Sequence, residues 1–294
     1  MGLFLQLVMR GLISGSLYAL LGTSWGIIYS TTRTFHFAHG FIYTAAAYVI
    51  VLLTMNAGVP LILSLILGLV SAALLGCACE AFAYRPIRER GGSQLSIFLT
   101  AMGIMIFGEN IIHIIFGPNP RPLSVFPEVP IFWGPVTFTT LDVVSVAAAW
   151  AAIVFLLMFL KYTKLGKVIR AVSSNPEKAI TVGINAQQTF LLVFSLGSIL
   201  MAWGAFFSTL NTPVTPFAGI PALLMAFIAV FLGGVGSSGG TAVGGLVMGL
   251  AESLSLFLMP AQYKLIVTFT VLFFVVLFKP EGILGMIEQT KKEN

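Results

Sequence analysis

The chain has 294 residues, of which 58% are hydrophobic and 9% charged, whereas an ordinary soluble domain carries roughly 25% charged residues. A water-exposed surface so poor in charge would carry large apolar patches, which excludes an ordinary soluble enzyme and favours an integral membrane protein. The net charge of +5 does not indicate nucleic-acid binding, because the basic residues fall mainly between apolar runs, where the positive-inside rule accounts for them.

Continuous apolar runs, without strand-like alternation, predict membrane-spanning helices. Most runs are long enough to cross about 30 Å of hydrocarbon at about 1.5 Å per residue. We therefore expect an all-α fold, a polytopic bundle of about 8–9 spans in a single transmembrane domain over residues 1–294. The runs are Leu7–Tyr29, Phe35–Met55, Pro60–Phe82, Leu95–Phe116, Leu141–Leu160, Phe190–Leu210, Ala222–Leu232, Thr241–Leu258 and Tyr263–Phe278.

Basic residues set the expected orientation. The loop at 85–90, the loop at 161–188 and the tail at 279–294 are rich in Lys and Arg and are expected in the cytoplasm. The proline-rich connection at 117–140 contains only Arg121 among Lys and Arg and is expected outside. Three spans before Arg85 would place the N-terminus outside, whereas a re-entrant Phe35–Met55 would place it inside. Three spans are favoured.

Two glycine-rich segments interrupt the apolar pattern. The first contains His36, His39 and Gly40, and the second runs from Gly233 through Gly234 and Gly236 to Gly240. Glycine permits close helix approach and backbone unwinding, and transporters use such breaks to aim helix ends at substrate. The alternative is a tight turn with close helix packing. Ala222–Leu232, which precedes the second segment, is too short to span, so it is either half of a broken helix or extends into the glycines.

Two ionisable residues lie within the fourth apolar run. Glu109 and His113 are four residues apart, so they share a helix face and can pair. Ionisable groups at this depth are costly unless they face the bundle interior or water. They are candidates for the translocation path or for a helix break, and a hydrogen-bonded bundle contact is the alternative.

The cytoplasmic loop at 161–188 is too polar to lie in lipid and too patterned for a flexible linker. Asn175 can cap a helix that starts at Pro176, with Glu177 in its first turn, and Gly183 can end it. The sequence therefore predicts a short amphipathic helix at the cytoplasmic surface. Either a protein partner or lipid headgroups could hold it there.

No catalytic, cofactor-binding or metal site is predicted. Cys77 and Cys79 lie in one apolar run without further ligands nearby and are interpreted as packing residues. The sequence contains no G-x-x-x-x-G-K-[ST] phosphate loop. A membrane-embedded hydrolase is disfavoured because no nucleophile–base pair is visible.

Several stretches, in order along the chain, together resemble the permeases of branched-chain amino acid ABC importers, the LivH family. One is the spacing Glu177-x-Ala179-x3-Gly183, which resembles the EAA–x3–G signature of ABC importer permeases. The others are Gly15–Leu20, Phe37–Gly40, Tyr84–Arg88, Gly183–Asn185, Leu232–Ser237, Gly244–Leu246 and Pro280-x-Gly282-Ile283-Leu284-Gly285.

The resemblance implies the permease subunit of an importer that carries branched-chain or other hydrophobic amino acids across the bacterial inner membrane by alternating access. It implies a second, paralogous permease, two cytoplasmic ATPases, an extracytoplasmic solute-binding protein and membrane lipid as partners. ATP hydrolysis would take place on those partner subunits, so this chain is not expected to be an enzyme. The residues implied in ATPase coupling are Glu177, Ala179, Gly183, Ile184 and Asn185.

The sequence departs from the family pattern at two positions. His36 stands where the family usually has Asn, and Glu109 stands where family members commonly carry an amide. Both departures bear on the identity of the solute, because relatives also serve urea and short amides. Besides a permease for those solutes, the alternatives are a proton-coupled secondary transporter, with Glu109 and His113 as a relay, and a purely structural subunit.

Overall fold

The structure is a computed structural model and describes residues 2–127, 129–279 and 281–283. Its helices, in chain order, are α1 (Gly2–Thr32), α2 (His39–Val51), α3 (Leu61–Ala78), α4 (Arg85–Glu89), α5 (Gln94–Phe116), α6 (Thr140–Tyr162), α7 (Lys164–Ser174), α8 (Pro176–Thr181), α9 (Ala186–Asn211), α10 (Gly219–Gly233), α11 (Ser238–Ser255) and α12 (Lys264–Phe278). Turns of π-helix extend α2 over Leu52–Asn56 and α3 over Cys79–Tyr84. A short 3-10 helix, Ala261–Tyr263, precedes α12.

The helices have the lengths expected of a membrane bundle. In the described part of the chain, 6 helices are long and apolar enough to cross a membrane, and Gly219–Gly233 and Ile266–Phe278 are shorter apolar helices. The prediction of a polytopic helical bundle is therefore confirmed. The run Phe35–Met55 forms a helix of spanning length, His39–Asn56, in agreement with three spans before Arg85.

A β-hairpin in the loop at 117–140 was not expected from the sequence. Strands β1 (Pro130–Trp133) and β2 (Val136–Thr139) pair antiparallel, with Trp133 opposite Val136. Gly134 connects them with a φ of 59°, a conformation that glycine adopts without steric cost. Strands of four residues are too short to show a clear alternation of polar and apolar residues.

The chain divides into two compact units. The helices α1, α6 and α10 each have residues in both units. Of the described residues, the first unit contains those up to Gly26, those in Phe126–Ile153 and those from Leu224 to Ile283. The second contains Ile27–Val125 and Val154–Leu223.

In the first unit, α1 and α11 pack so closely that their backbones touch. A Cβ on Gly245 would overlap the backbone of Ala19, and one on Gly249 would overlap that of Gly15. Ser253 donates a hydrogen bond to the carbonyl of Leu7 at 2.6 Å. Contacts further along α11 therefore reach residues earlier in α1, so the two helices run antiparallel. The side-chain amide of Gln6 bonds the backbone of Thr137, so α1 begins beside the loop predicted to be external.

In the second unit, α2, α3 and α9 pack around small residues. Ala46, Ala72 and Ala202 are fully buried together with Ile42. The loop at 85–90 and the loop at 161–188 lie at the same end of this unit, because Gln187 Nε2 donates to Glu89 Oε1 at 2.8 Å. A bridge between Arg121 and Val214 lies beyond the other ends of α5 and α9. This arrangement agrees with the orientation expected from the charges.

Candidate functional site

The loop predicted to couple to an ATPase folds into two helices, α7 and α8, followed by the start of α9. The side chain of Asn175 accepts a hydrogen bond from the backbone N–H of Lys178 at 2.9 Å, and Pro176 is the first residue of α8. The predicted cap and helix start are therefore confirmed. Helix α7 was not predicted as a separate element. It begins where Thr163 Oγ1 accepts from the N–H of Gly166 at 2.9 Å.

Helix α8 ends in a Schellman motif that explains the spacing of the family signature. Gly183 has a φ of +85° and donates to the carbonyl of Ile180 at 3.0 Å. The N–H of Ile184 reaches back to the carbonyl of Ala179, also at 3.0 Å. This pair of bonds requires a left-handed residue at position 183, which glycine adopts at no steric cost.

The signature alanine fits a tightly packed position. Ala179 is buried against Val172 of α7 and Phe190 of α9, and Ile184 packs on the same cluster. This motif is frequently accompanied by a hydrophobic contact between the residue after the glycine, here Ile184, and the residue four before the glycine, here Ala179. Alanine is small enough to let α8 lie flat against α7 and α9, so the segment is held rigidly.

Two apolar side chains at the end of α8 are exposed beside polar ones. Ile180 is 58% exposed and Val182 is 75% exposed, while Glu177 is also exposed at the start of the helix. Asn185 then caps α9, because its side chain accepts from the N–H of Gln188 at 3.1 Å. The segment is therefore a rigid handle, the residues 175–185, connected without a flexible linker to a membrane helix.

Arg88, in the loop at 85–90, contacts both Glu80 and Phe190, and Phe190 belongs to the cluster that packs on Ala179. Arg88 Nη2 lies 2.9 and 2.7 Å from the two carboxylate oxygens of Glu80, as the sequence position of Glu80 near the end of its span suggests. The guanidinium of Arg88 also lies over the ring of Phe190, 4.7 Å from its centroid. Glu80 is 1% exposed, and a buried charge of this kind is stable only when it is paired.

The first glycine-rich break is a bend between α1 and α2. Helix α1 ends at Thr32, and Arg33 adopts a left-handed φ of 55°. In the bend, His36 Nδ1 forms a hydrogen bond with the hydroxyl of Tyr84 at 2.8 Å. The ring of His36 lies 5.1 Å from that of His39 and 4.9 Å from that of Phe194, centroid to centroid.

One helical turn further on, α2 meets the start of the short helix α10. A Cβ on Gly219 would overlap the carbonyl of Gly40, so the two backbones are in contact. The N–H of Gly219 donates to Thr44 Oγ1 at 2.9 Å. The Thr44 hydroxyl lies 3.3 Å from both Glu109 Oε1 and the Gly40 carbonyl, and can donate to one of them at a time. Helix α10 has 15 residues, Gly219–Gly233, so the run Ala222–Leu232 forms one short helix that ends at the first glycine of the second glycine-rich segment.

The expected pair of Glu109 and His113 does not form. The carboxylate of Glu109 faces Thr44 and the backbone of Gly219. The ring of His113 lies 5.3 Å from that of Phe217. Both residues lie on one side of α5, as the spacing requires. The hydrogen-bond partner of the carboxylate is therefore the hydroxyl of Thr44 on α2 and not the imidazole of His113.

The second glycine-rich segment is a turn between α10 and α11. Gly234 and Gly236 have φ values of 108° and 94°, and Ser237 caps α11 by accepting from the N–H of Gly240. A Cβ on Gly233 would overlap the backbone of Gly240. Ile283 donates to the carbonyl of Leu232 at 2.8 Å. Most of the predicted tail at 279–294 and part of the motif Pro280–Gly285 lie outside the described residues.

The structure thus separates the candidate residues into four places. These are the handle, the bend at His36 and His39, the junction of Gly40 with Glu109, and the turn at Gly233–Gly236. Tyr84 contacts the bend, and Thr44 and Gly219 contact the junction; these three residues were not predicted as functional. A sequence signal exists for Thr44 alone, which lies one helical turn after Gly40 on the same face of α2.

These features are those of a multi-pass membrane protein that carries a rigid polar segment, the handle, between two of its helices. Among the described residues, no group of His, Cys, Asp and Glu could hold a metal ion. The sequence pattern of the family described as branched-chain amino acid transport system / permease component matches residues 7–276. The chain therefore belongs to this family, and it is a transport subunit of the inner membrane.

Relatives from bacteria and an archaeon extend over nearly the whole chain. The high-affinity branched-chain amino acid transport system permease protein LivH of Escherichia coli K12 is 31% identical over 306 residues, 98% of this chain and 97% of the relative. The protein BraD of Pseudomonas aeruginosa, described in the same terms, is 30% identical, with 98% of each chain covered. A probable LivH of Methanocaldococcus jannaschii is 25% identical over 96% of this chain and 93% of the relative.

A solved structure supports the fold independently. A chain of PsaBC from Streptococcus pneumoniae, in complex with Fab, superimposes with a TM-score of 0.54. The alignment covers 96% of this chain and 95% of that chain, at 13% sequence identity. At this identity the likeness shows the fold alone.

Proposed function

We propose that the protein carries branched-chain or other hydrophobic amino acids across the inner membrane by alternating access, as one permease of an ABC importer. A second, paralogous permease, two cytoplasmic ATPases and an extracytoplasmic solute-binding protein complete the importer. The two units of the chain act as one permease domain, and ATP is hydrolysed on the partner subunits. The named substrates of LivH and BraD support this choice of solute.

The observation that carries the proposal is the exposure of two apolar residues, Ile180 and Val182, on the rigid handle. Ile180 and Val182 point away from the cluster of Val172, Ala179 and Phe190 that fixes α8 in place. Burial of these two side chains by a protein partner would be favourable, because it removes apolar surface from water. A partner bound to α8 would move α9 with it, because the handle ends at Asn185, the residue that caps α9.

The mechanism follows from that connection. When the ATPases close on ATP, they move the handle, and the packed membrane helices respond together. A shift of this kind requires the ATPase states to differ in their contact with the handle, since only a difference in binding free energy changes a conformational equilibrium. The breaks at Gly40 and Gly233–Gly236 are the places where the bundle rearranges and solute passes.

Gly183→Asp tests the proposal. No atom lies within 4 Å of a Cβ at Gly183, so the new side chain points outward, while the left-handed φ opposes it by about 1 kcal/mol. We expect normal membrane insertion but loss of co-purification with co-expressed ATPases, and loss of leucine uptake. Gly58→Asp is the matched control, since Gly58 has a φ of +65° and equally open surroundings but lies between α2 and α3, on the side predicted to be external.

Normal co-purification of the Gly183→Asp variant with the ATPases would contradict the proposal. Equal loss of co-purification in the Gly58→Asp variant would contradict it as well, because the defect would then reflect damage to the whole chain.

A further inference from the structure

The third membrane helix ends in a π-helical turn, Cys79–Tyr84, that the proposed function does not yet use. Turns of π-helix are rare and occur frequently at functional sites. This turn carries two buried polar side chains, those of Glu80 and Tyr84. Each connects the turn to a different part of the second unit.

The first connection leads to the handle. Ala179 of α8 packs on Phe190, the ring of Phe190 lies under the guanidinium of Arg88, and Arg88 pairs with Glu80. The contacts therefore run without a gap from the signature alanine to the π-helical turn. Separating Arg88 from Glu80 would leave a buried carboxylate without its charge partner, which is strongly unfavourable. The two residues are expected to move as one body.

The second connection leads to the bend between α1 and α2. The hydroxyl of Tyr84 lies 2.8 Å from His36 Nδ1, and the Tyr84 ring lies 5.6 Å from that of Phe194, centroid to centroid. His36 is fully buried. The bend leads directly into α2, where Gly40 touches the start of α10.

We propose that the π-helical turn Cys79–Tyr84 transmits movement of the handle to the bend before α2, with the hydrogen bond between Tyr84 and His36 as its last link. The proposal rests on the proposed function, because it takes the handle to be moved by the ATPases. Chains of packed side chains and hydrogen bonds of this kind carry energetic coupling between distant sites. Tyr84 and His36 are positioning residues and are not assigned a contact with solute.

The test is the Tyr84→Phe variant, which removes only the hydroxyl, in the complete importer reconstituted in liposomes. Three quantities are measured: co-purification with the ATPases, ATP hydrolysis in the presence of leucine and the solute-binding protein, and uptake of radiolabelled leucine. We expect unchanged co-purification and hydrolysis, while uptake, and therefore leucine transported per ATP, falls by about five-fold.

The bond is tested from its other side at His36. His36→Asn keeps a polar atom at the position of Nδ1 and is expected to retain most of the uptake, whereas His36→Leu is expected to reproduce the loss in Tyr84→Phe. Tyr48→Phe is the matched control. Tyr48 is a buried tyrosine of the same unit, and among the described residues no hydrogen-bond partner reaches its hydroxyl, so uptake should not change.

Wild-type uptake in both Tyr84→Phe and His36→Leu would overturn the inference and leave the proposed function untouched. A proportional fall of hydrolysis and uptake would also overturn it, since the bond would then serve assembly or folding and not transmission. Failure of the unaltered chain to co-purify with the ATPases would instead contradict the proposed function.

Discussion

Gly40 and Gly219 touch backbone to backbone, with the carbonyl of Gly40 in the place where any other residue at 219 would carry its Cβ. The contact joins the first turn of α2 to the first residue of the short helix α10. Because neither residue has a side chain, the hydroxyl of Thr44 can reach the N–H of Gly219 at 2.9 Å. The start of α10 is therefore fixed by α2.

Gly219→Ala is expected to push these backbones apart. Overpacking of a closely packed site costs about 1–3 kcal/mol, and here the obstacle is a backbone carbonyl that cannot rotate away. We expect a lower midpoint of thermal unfolding in detergent and strongly reduced leucine uptake. Gly103→Ala is the control, because no atom lies within 4 Å of a Cβ at Gly103. A Gly219→Ala variant as stable and active as Gly103→Ala would contradict the contact.

The Thr44 hydroxyl is expected to stabilise the packing of α2 against α5 and α10, because it bonds Glu109 and Gly219. Thr44→Val keeps the shape of the side chain but removes the acceptor for Gly219 and the donor for Glu109. Leaving buried polar groups without partners costs about 1–3 kcal/mol, so the unfolding midpoint and uptake should both fall, and Thr44→Ser should restore them. Thr209→Val is the control, since the Thr209 hydroxyl donates to the carbonyl of Ala205 in the same helix. Equal effects at both positions would refute the link.

Glu109→Gln tests whether the carboxylate carries protons or only accepts hydrogen bonds. Glutamine keeps an oxygen that can accept from Thr44, so we expect retained transport with an altered preference among hydrophobic amino acids, measured by competition against labelled leucine. The absence of a pair with His113 supports this expectation, because a relay needs neighbouring groups that exchange a proton. Complete loss of transport would favour proton coupling.

The local features of the handle could be predicted from the sequence because neighbouring residues determine them. Asn175, Pro176 and Gly183 specify the start and end of α8 through their own backbone preferences. The apolar runs likewise predicted the long helices, since length and composition suffice for a membrane span. The run Ala222–Leu232 likewise predicted the position of α10, and its short length predicted a short helix.

The contacts between distant segments could not be predicted in this way. Gly219 looks like an ordinary loop glycine, and only its approach to Gly40 shows why it is required. Glu109 was placed with His113 because four residues separate them, but its carboxylate bonds Thr44 of α2 and lies beside Gly219, 110 residues further on by sequence number. The hydrogen bond between His36 and Tyr84 could not be predicted from the sequence either, because the spacing of apolar residues does not show which helices pack together.

The location of the handle tests the central claim most directly. In a variant with Cys77 and Cys79 replaced by Ala, a single cysteine is introduced at Thr181, which is exposed on α8, or at Ala57, which is exposed between α2 and α3. Intact cells are treated with a membrane-impermeant thiol reagent, before and after permeabilisation. We predict labelling of Ala57→Cys in intact cells and of Thr181→Cys only after permeabilisation. Labelling of Thr181→Cys in intact cells would place the handle outside and contradict the importer mechanism.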